Sequence, residues 1–288
     1  MQQLRGMPVA SAIIGQIAGQ IEELAKKQII PKLAIVRIGE REEDVSYEKG
    51  IIKRFSAANA MVETIAMPRE PAQGALEETI TKLNGDDSVH GILLFRPLPG
   101  HLPFDRIRGL IAKTKDVDAM SPESGACIYE GRKDGYAPCT AQAVIELLDF
   151  YGIELTGKKT TIIGRSLIVG KPLAMLLLDK NATVTICHTK TQNLAEECKK
   201  ADILVACAGS AKMVGADFAH PGQIIIDVGV NMAEGKLCGD ADYEALDGKV
   251  LAMTPVPGGV GAVTTSVLLK NTVHSAHLCK PAHERHVN

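Results

Sequence analysis

The feature that most constrains this chain is residues 158–172, Lys-Lys-Thr-Thr-Ile-Ile-Gly-Arg-Ser-Leu-Ile-Val-Gly-Lys-Pro. Residues 160–163 form a β-branched run suited to a buried strand, 164–169 a turn, and Gly170-Lys171-Pro172 opens an apolar helix over 173–178. A strand that hands over to a helix through glycine leaves unpaired backbone N–H groups at the positive end of the helix dipole, where a phosphate can sit. The two glycines lie six residues apart with Ser166 between them, which is not the spacing of the dinucleotide fingerprint G-x-G-x-x-G. Alone, the stretch suits a nucleotide site and an ordinary tight βα turn equally.

The rest of the chain alternates in the same sense. Apolar residues recur at helical spacing over 8–27 (Val9, Ile13, Ile14, Ile17, Ile21, Leu24). A strand is expected at 32–38, a helix at 46–59, a strand at 62–67, a helix at 74–83 and a strand at 89–95. The last stops at Arg96-Pro97 because proline donates nothing to a ladder. Residues 113–135, with charge, glycine, single prolines and little periodicity, read as a crossover between domains. A helix then begins at Pro138-Cys139-Thr140 with Thr140 as its cap, and strands are expected at 183–187, 203–207, 223–227 and 250–253.

This alternation predicts two α/β domains, the second a Rossmann-like doubly wound parallel sheet, with a cleft between them. The expected domains are 1–135 and 136–264. A last helix over 263–278 is long enough to return to the first domain and close the cleft, so that 265–288 complete that domain.

Composition excludes some functions. With a net charge of −2, no Trp, five Phe and five Tyr, the chain lacks the basic stripe and stacking aromatics that nucleic-acid binding uses. Seven cysteines with no C-x-x-C pair read as free thiols in a reducing compartment and support no metal site. No leader pattern and no run of bilayer length is present, so a cytoplasmic protein without a membrane partner is expected.

In an open α/β sheet, ligands bind outside the carboxyl ends of the strands, which directs attention to 164–166, 187–191, 208–209, 227–231 and 254–261. The second of these reads His188-Thr189-Lys190-Thr191, with no carboxylate for the ribose hydroxyls of NAD. Its cation, with Arg165, suits a 2′-phosphate and favours NADP, although a solvated basic turn has the same composition. Two prolines and three glycines within 254–261 make a rigid loop whose backbone can approach a ligand closely.

Taken together, Lys115-Asp116-Val117-Asp118, Pro138-Cys139-Thr140, Gly164-Arg165-Ser166-x-x-Val169-Gly170-x-Pro172, Asp227-Val228-Gly229-Val230-Asn231 and Thr254-Pro255-Val256-Pro257-Gly258-Gly259-Val260-Gly261 resemble the methylenetetrahydrofolate dehydrogenase/methenyltetrahydrofolate cyclohydrolase family over nearly the whole chain. The resemblance implies NADP-dependent oxidation of 5,10-methylenetetrahydrofolate to the 5,10-methenyl form. It also implies a place in one-carbon metabolism and purine biosynthesis, tetrahydrofolate one-carbon derivatives as partners, folate in the cleft, and a homodimer formed through the cofactor domains. NADP contacts would fall on Gly164, Arg165, Ser166, His188, Thr189, Lys190, Gly209, Val230 and Thr264. Folate contacts would fall on Tyr47, Pro97, Leu98, Asp118, Pro257, Gly258 and Gly259, with Tyr47 and Asp118 in the catalytic set. A carboxylate at 118 can accept two parallel hydrogen bonds from the pterin's amino-pyrimidine edge. A turn or capping aspartate is the plainer reading of the same residue.

Two catalytic positions depart from the family. Ile51 stands where the family has a lysine, one turn beyond Tyr47 on the same helical face, and Phe95 stands where it has the glutamine that partners this lysine. Isoleucine and phenylalanine cannot transfer a proton, so the cyclohydrolase step from methenyl- to 10-formyltetrahydrofolate is expected to be weak or absent. Hydride transfer asks the protein mainly for position and is expected to remain. Arg96 is an alternative source of the missing cation, whereas Lys49 and Lys53 lie well round the helix from Ile51. A fully bifunctional enzyme with a substitute residue and a non-catalytic folate- or NADP-binding protein are the competing readings. A smaller departure is Ala119, where a glycine is usual after Asp118.

Overall fold

The computed structural model describes residues 1–233 and 235–279. In chain order the first elements are β1 (Gln2–Gln3), α1 (Gly6–Lys26), β2 (Lys32–Ile38), α2 (Glu42–Ser56), β3 (Met61–Met67), α3 (Gln73–Gly85), β4 (Gly91–Leu94), α4 (Phe104–Arg108) and α5 (Pro122–Tyr129). They are followed by α6 (Cys139–Phe150), β5 (Lys159–Ile163), α7 (Gly170–Asp179), β6 (Thr183–Cys187), α8 (Leu194–Lys199), β7 (Ile203–Ala206), β8 (Ile224–Asp227), β9 (Asn231–Ala233), β10 (Lys236–Cys238), α9 (Tyr243–Leu246), β11 (Ala252–Met253) and α10 (Val260–Leu278).

The chain divides into two compact units. Met1–Ala12 and Thr140–Thr264 form one, and Ile13–Cys139 with Thr265–Cys279 form the other; the rest of the expected 265–288 segment lies outside the described residues. An N-terminal domain of 1–135 therefore gives up its first residues. The cause is strand pairing: β1 runs parallel to β11, Gln2 opposite Ala252 and Gln3 opposite Met253, and Leu4 N donates to Met253 O at 2.9 Å.

The unit that begins at Ile13 is built on a parallel sheet in the order β3-β2-β4. Central β2 is buried on both faces from Leu33 to Arg37, as expected of a strand covered by helices on both sides. Leu76, Ile80 and Leu83 of α3 pack with Ala34, Val36, Ile92 and Leu94 in one apolar cluster. Helix α2 starts earlier than its apolar periodicity alone indicated. Glu42, Glu43 and Asp44 occupy its first turn and Lys53 and Arg54 its last, a charge distribution that suits the helix dipole. The stretch 113–135 holds a helix that periodicity did not reveal, α5, set by Ser121, whose hydroxyl accepts from Ser124 N, and by Pro122 in its first turn.

The other unit carries a six-stranded parallel sheet in the order β1-β11-β8-β7-β5-β6. Strands β5, β7 and β8 are almost wholly buried, whereas edge strand β6 is partly exposed. The order reverses between β5 and β7, and the crevice of a doubly wound sheet opens at such a reversal. The pattern does not show strand β1, the antiparallel β9–β10 hairpin or the start of α6 at Cys139, which puts Thr140 inside the helix. Among the described residues no helix is long and apolar enough to cross a membrane.

Candidate functional site

In the three-stranded unit, a braced turn presents Asp118. Buried Lys115 donates through Nζ to Leu83 O (2.8 Å) and Asp86 O (2.6 Å). The fully buried Asp116 carboxylate accepts from Met120 N, Ser121 N and the Ser124 hydroxyl at 2.6–2.8 Å. Val117 packs against Gly91 so closely that a Cβ there would stand 2.8 Å from a Val117 methyl, and Val117 O accepts from Asn271 Nδ2 at 2.8 Å. The result is a carboxylate held in a fixed direction by groups that all lie outside it.

Asp118 is itself engaged at both oxygens. Oδ1 accepts from Cys139 N at 2.9 Å, the bond of a capping aspartate, and Oδ2 from Arg96 Nη2 at 3.0 Å, with the two charged side chains 16% and 17% exposed. Burial pushes the Asp118 carboxyl above the usual carboxylate range, against the opposing pull of the Arg96 charge and the Cys139 hydrogen bond. The Cys139 thiol beside it is pushed well up by burial and by the Asp118 charge.

Tyr47 and Phe95 come from the carboxyl ends of adjacent strands. Tyr47 lies on α2, which follows β2; Phe95 follows β4, and its N–H bonds Val36 O at 3.0 Å. Their rings approach to 5.7 Å between centroids at 33°. The Tyr47 hydroxyl is pushed well above its ordinary value, first by burial and then by the Asp118 charge, although the residue as a whole remains 37% exposed. Ile51, the next residue on that helical face, is 0% exposed, and Phe95 is 6% exposed. Arg96 therefore enters the neighbourhood of Tyr47 and Asp118, but as the ion-pair partner of the carboxylate. Lys49 and Lys53 are both exposed. Pro97 is exposed, and Leu98 packs partly onto the apolar cluster.

Helix α2 is fixed to the sheet by the largely buried pair Arg37 Nε–Glu48 Oε2 at 2.8 Å, one residue beyond Tyr47. Ala119 adopts φ +49, the left-handed region that favours glycine. Ala119→Gly is expected to raise stability by up to about 1 kcal/mol, the relief of left-handed strain less the extra chain entropy of glycine when unfolded. Thermal melting reads this, and an unchanged or lower midpoint would count against strain at this turn.

The six-stranded unit holds the glycine turn. Gly164 has φ +132, and a Cβ there would stand 2.4 Å from Cys207 O; a Cβ on Gly170 would stand 2.1 Å from Gly164 O. Both glycines are thus required for the turn after β5 to meet the end of β7 and the start of α7, at the reversal of strand order. Arg165 and Ser166 are exposed beside it, with Ser166 Oγ accepting from Val169 N. His188, Thr189 and Lys190 form a compact turn after β6, closed by Lys190 N to His188 Nδ1 and His188 N to Thr191 Oγ1. Their side chains bring a cation and a hydroxyl to the turn and no carboxylate, so the residues present fit a phosphorylated ribose.

Gly209, at φ +67, and the exposed Val230 sit on the loops after β7 and β8. Both loops are held by two buried aspartates that sequence reasoning passed over as ligands of the fold. Asp240 accepts from Ala208, Gly209 and Ser210 N–H groups and from Asn231 Nδ2, and Asp227 accepts from Gly229, Asp240 and Ala241 N–H groups. Nothing in the local pattern around Asp240 marks it, because its donors lie up to 32 residues away. Thr264 is buried, with its hydroxyl spent on Val260 O one turn back in α10. Pro257 and Gly258 border a cavity of about 770 Å³ with β10 and the N-terminal segment, whereas Gly259 is buried against Gly6, whose Cβ would stand 2.1 Å from Gly259 O.

A parallel sheet with a glycine turn at its reversal point, joined in one chain to a smaller parallel sheet that presents a desolvated carboxylate, defines a two-domain α/β enzyme that uses a nucleotide cofactor. Residues 4–118 match the tetrahydrofolate dehydrogenase/cyclohydrolase catalytic domain, and residues 138–280 match the NAD(P)-binding domain of the same family. The bifunctional protein FolD of Clostridioides difficile is 46% identical over 278 residues, 96% of this chain and 97% of that protein. Among solved structures, the bifunctional FolD methylenetetrahydrofolate dehydrogenase/cyclohydrolase of Campylobacter jejuni superposes with a TM-score of 0.93 at 38% identity, covering 96% of this chain and 99% of that one. The Trypanosoma brucei enzyme, complexed with NADP cofactor and inhibitor, does so with a TM-score of 0.90 at 32% identity over 95% and 96% of the two chains. The chain belongs to the tetrahydrofolate dehydrogenase/cyclohydrolase family and carries that family's NAD(P)-binding domain.

Proposed function

We propose that this protein oxidises 5,10-methylenetetrahydrofolate to 5,10-methenyltetrahydrofolate with NADP as hydride acceptor, and that its cyclohydrolase step is weak or absent. The observation that carries the second half is the apolar pair in place of a proton-handling one: Ile51 and Phe95 are both buried, beside Tyr47. NADP supplies the hydride acceptor when bound, and the turn at Gly164, with Arg165, Ser166, His188, Thr189 and Lys190, supplies the close backbone approach and the charge it needs. The hydride leaves the methylene carbon with its bonding pair, and the positive charge left behind spreads over the two flanking nitrogens. No proton moves in that step, so no general base is required of Ile51 or Phe95.

Asp118 accepts the amino-pyrimidine edge of the pterin, and Tyr47 lies along its face. Hydrolysis makes a different demand, since water must be deprotonated as it attacks the bridge carbon. Arginine stays protonated at any working pH and is here paired with Asp118, which disfavours Arg96 as a stand-in base. The test is formation of reduced nicotinamide, followed by absorbance, from methylenetetrahydrofolate and NADP with purified protein. Steady turnover is expected. Ligand binding without turnover would sink the enzyme reading and favour a binding protein.

A further inference from the structure

We propose that Arg96 is a positioning residue for the folate: it acts through Asp118, holding that carboxylate ionised and aimed so that it can receive the amino-pyrimidine edge. The inference rests on the folate reading above and adds a residue to it. Asp118 sits in a desolvated corner faced by Tyr47 from α2, by Cys139 at the start of α6, by Asp116 from its own turn and by Arg96 from the loop after β4. Arg96 is the one fixed cation in that set. Burial and the Asp116 charge oppose ionisation of Asp118, so the guanidinium, helped by the Cys139 hydrogen bond, offsets both the loss of water and the like charge.

Arg96 is held at both ends. Its guanidinium bonds Asp118 Oδ2 at 3.0 Å, and its carbonyl accepts from Arg41 Nη2 at 2.6 Å. Arg41 in turn forks onto Asp44 in the first turn of α2, at 2.8 and 2.9 Å. The reach of the side chain is thereby set from its backbone, and the direction of the carboxylate is set between Arg96 on one oxygen and Cys139 N on the other. The contact from Arg96 is through a single nitrogen. An ionised carboxylate offers about four lone-pair sites, so each oxygen can still accept one N–H of an amidine-like edge with both present partners in place. A protonated Asp118 would lose that capacity on one oxygen, which makes pterin affinity depend on the charge that Arg96 maintains.

The experiment is calorimetric titration of the intact protein with folic acid, which carries the same amino-pyrimidine edge, over about pH 5 to 9, with no nicotinamide present. Wild type is expected to lose affinity on the acid side of a single limb. In Arg96→Gln that limb is expected to move up by about 1 pH unit or more, the usual effect of removing an arginine from beside an aspartate. Arg96→Lys, which keeps the charge, is expected to restore the wild-type limb. A purely structural role would lower affinity equally at every pH. An unmoved limb in Arg96→Gln, or a lysine variant with a limb as high as the glutamine's, would overturn the inference. If the glutamine variant does not fold, the lysine variant decides alone: a limb at the wild-type position supports the inference and a limb about 1 unit higher overturns it. Failure of wild type to bind folic acid at any pH would instead remove the folate reading, and this inference with it.

Discussion

Purified protein is expected to hydrolyse methenyltetrahydrofolate at about 1% or less of its rate of hydride transfer, because a positioned acid or base contributes roughly 10²- to 10⁴-fold to such a step and Ile51 and Phe95 can supply neither. Restoring lysine alone should not rescue it. Ile51 is 0% exposed, and Ile51→Lys would place an ammonium in that buried position with phenylalanine where its hydrogen-bond acceptor should be. The cost of an unpaired buried charge is about 3 kcal/mol or more, unless the amine gives up its proton. Ile51→Lys with Phe95→Gln supplies both partners together and is expected to raise hydrolysis by about tenfold or more over either single change, a coupling of the kind shown by residues in direct contact. The readout is loss of the methenyl chromophore without nicotinamide. Hydrolysis by the unmodified chain that keeps pace with hydride transfer would mean another residue has taken the lysine's place.

Asp227→Ala is the second large effect expected, and it acts on stability. The carboxylate is 2% exposed and takes the N–H groups of Gly229, Asp240 and Ala241 at 2.9, 3.0 and 2.9 Å. Gly239 lies so close beneath it that a Cβ there would overlap Oδ2 at 1.8 Å, which leaves little room for another arrangement. Each buried donor left unpaired costs about 1–3 kcal/mol, so a loss of about 3 kcal/mol or more is expected at mildly acid pH.

The pH dependence has a definite sign. Burial, followed by the neighbouring Asp240 charge among the raising effects, pushes the Asp227 carboxyl up to about 6 against the pull of its three backbone donors. An aspartate in the unfolded chain titrates at ~3.9. A folded value above the unfolded one gives stability that is fully present below ~3.9 and is lost as the pH rises through about 6. The cost of Asp227→Ala should therefore be about 1.4 kcal/mol smaller at about pH 7.5 than at about pH 5. Urea midpoints of both proteins at the two pH values measure it, and a difference of the opposite sign would show that the three backbone donors outweigh burial.

Much of the fold was legible because it rests on local signals. Strands such as β2 and β5 are short apolar or β-branched runs whose burial follows from covering both faces of a parallel sheet. Glycines at 164 and 170 mark a turn that only glycine can make, and their close contacts with Cys207 O and Gly164 O give the physical reason. Helix α5 was missed because its eight residues are too few to show a period, and its start depends on one capping serine. Strand β1 was missed because two exposed glutamines become a strand only when β11 lies beside them.

The site divides in the same way. Sequence alone determined which residue types stand at the proposed catalytic positions: a tyrosine with isoleucine one turn later, phenylalanine before Arg96, and an aspartate in a charged turn. These are matters of identity and spacing, so the expectation that Ile51 and Phe95 replace a lysine and a glutamine follows from the family resemblance without a structure. Tertiary structure alone decided what the remaining charges do. Arg96 and Asp118 are 22 residues apart and become a pair only because β4 and the 115–121 turn are packed together through Gly91 and Val117. Asp227 and Asp240 gain their roles as backbone anchors in the same way, because a carboxylate's partners are chosen by which loops reach it and by how much water is left around it.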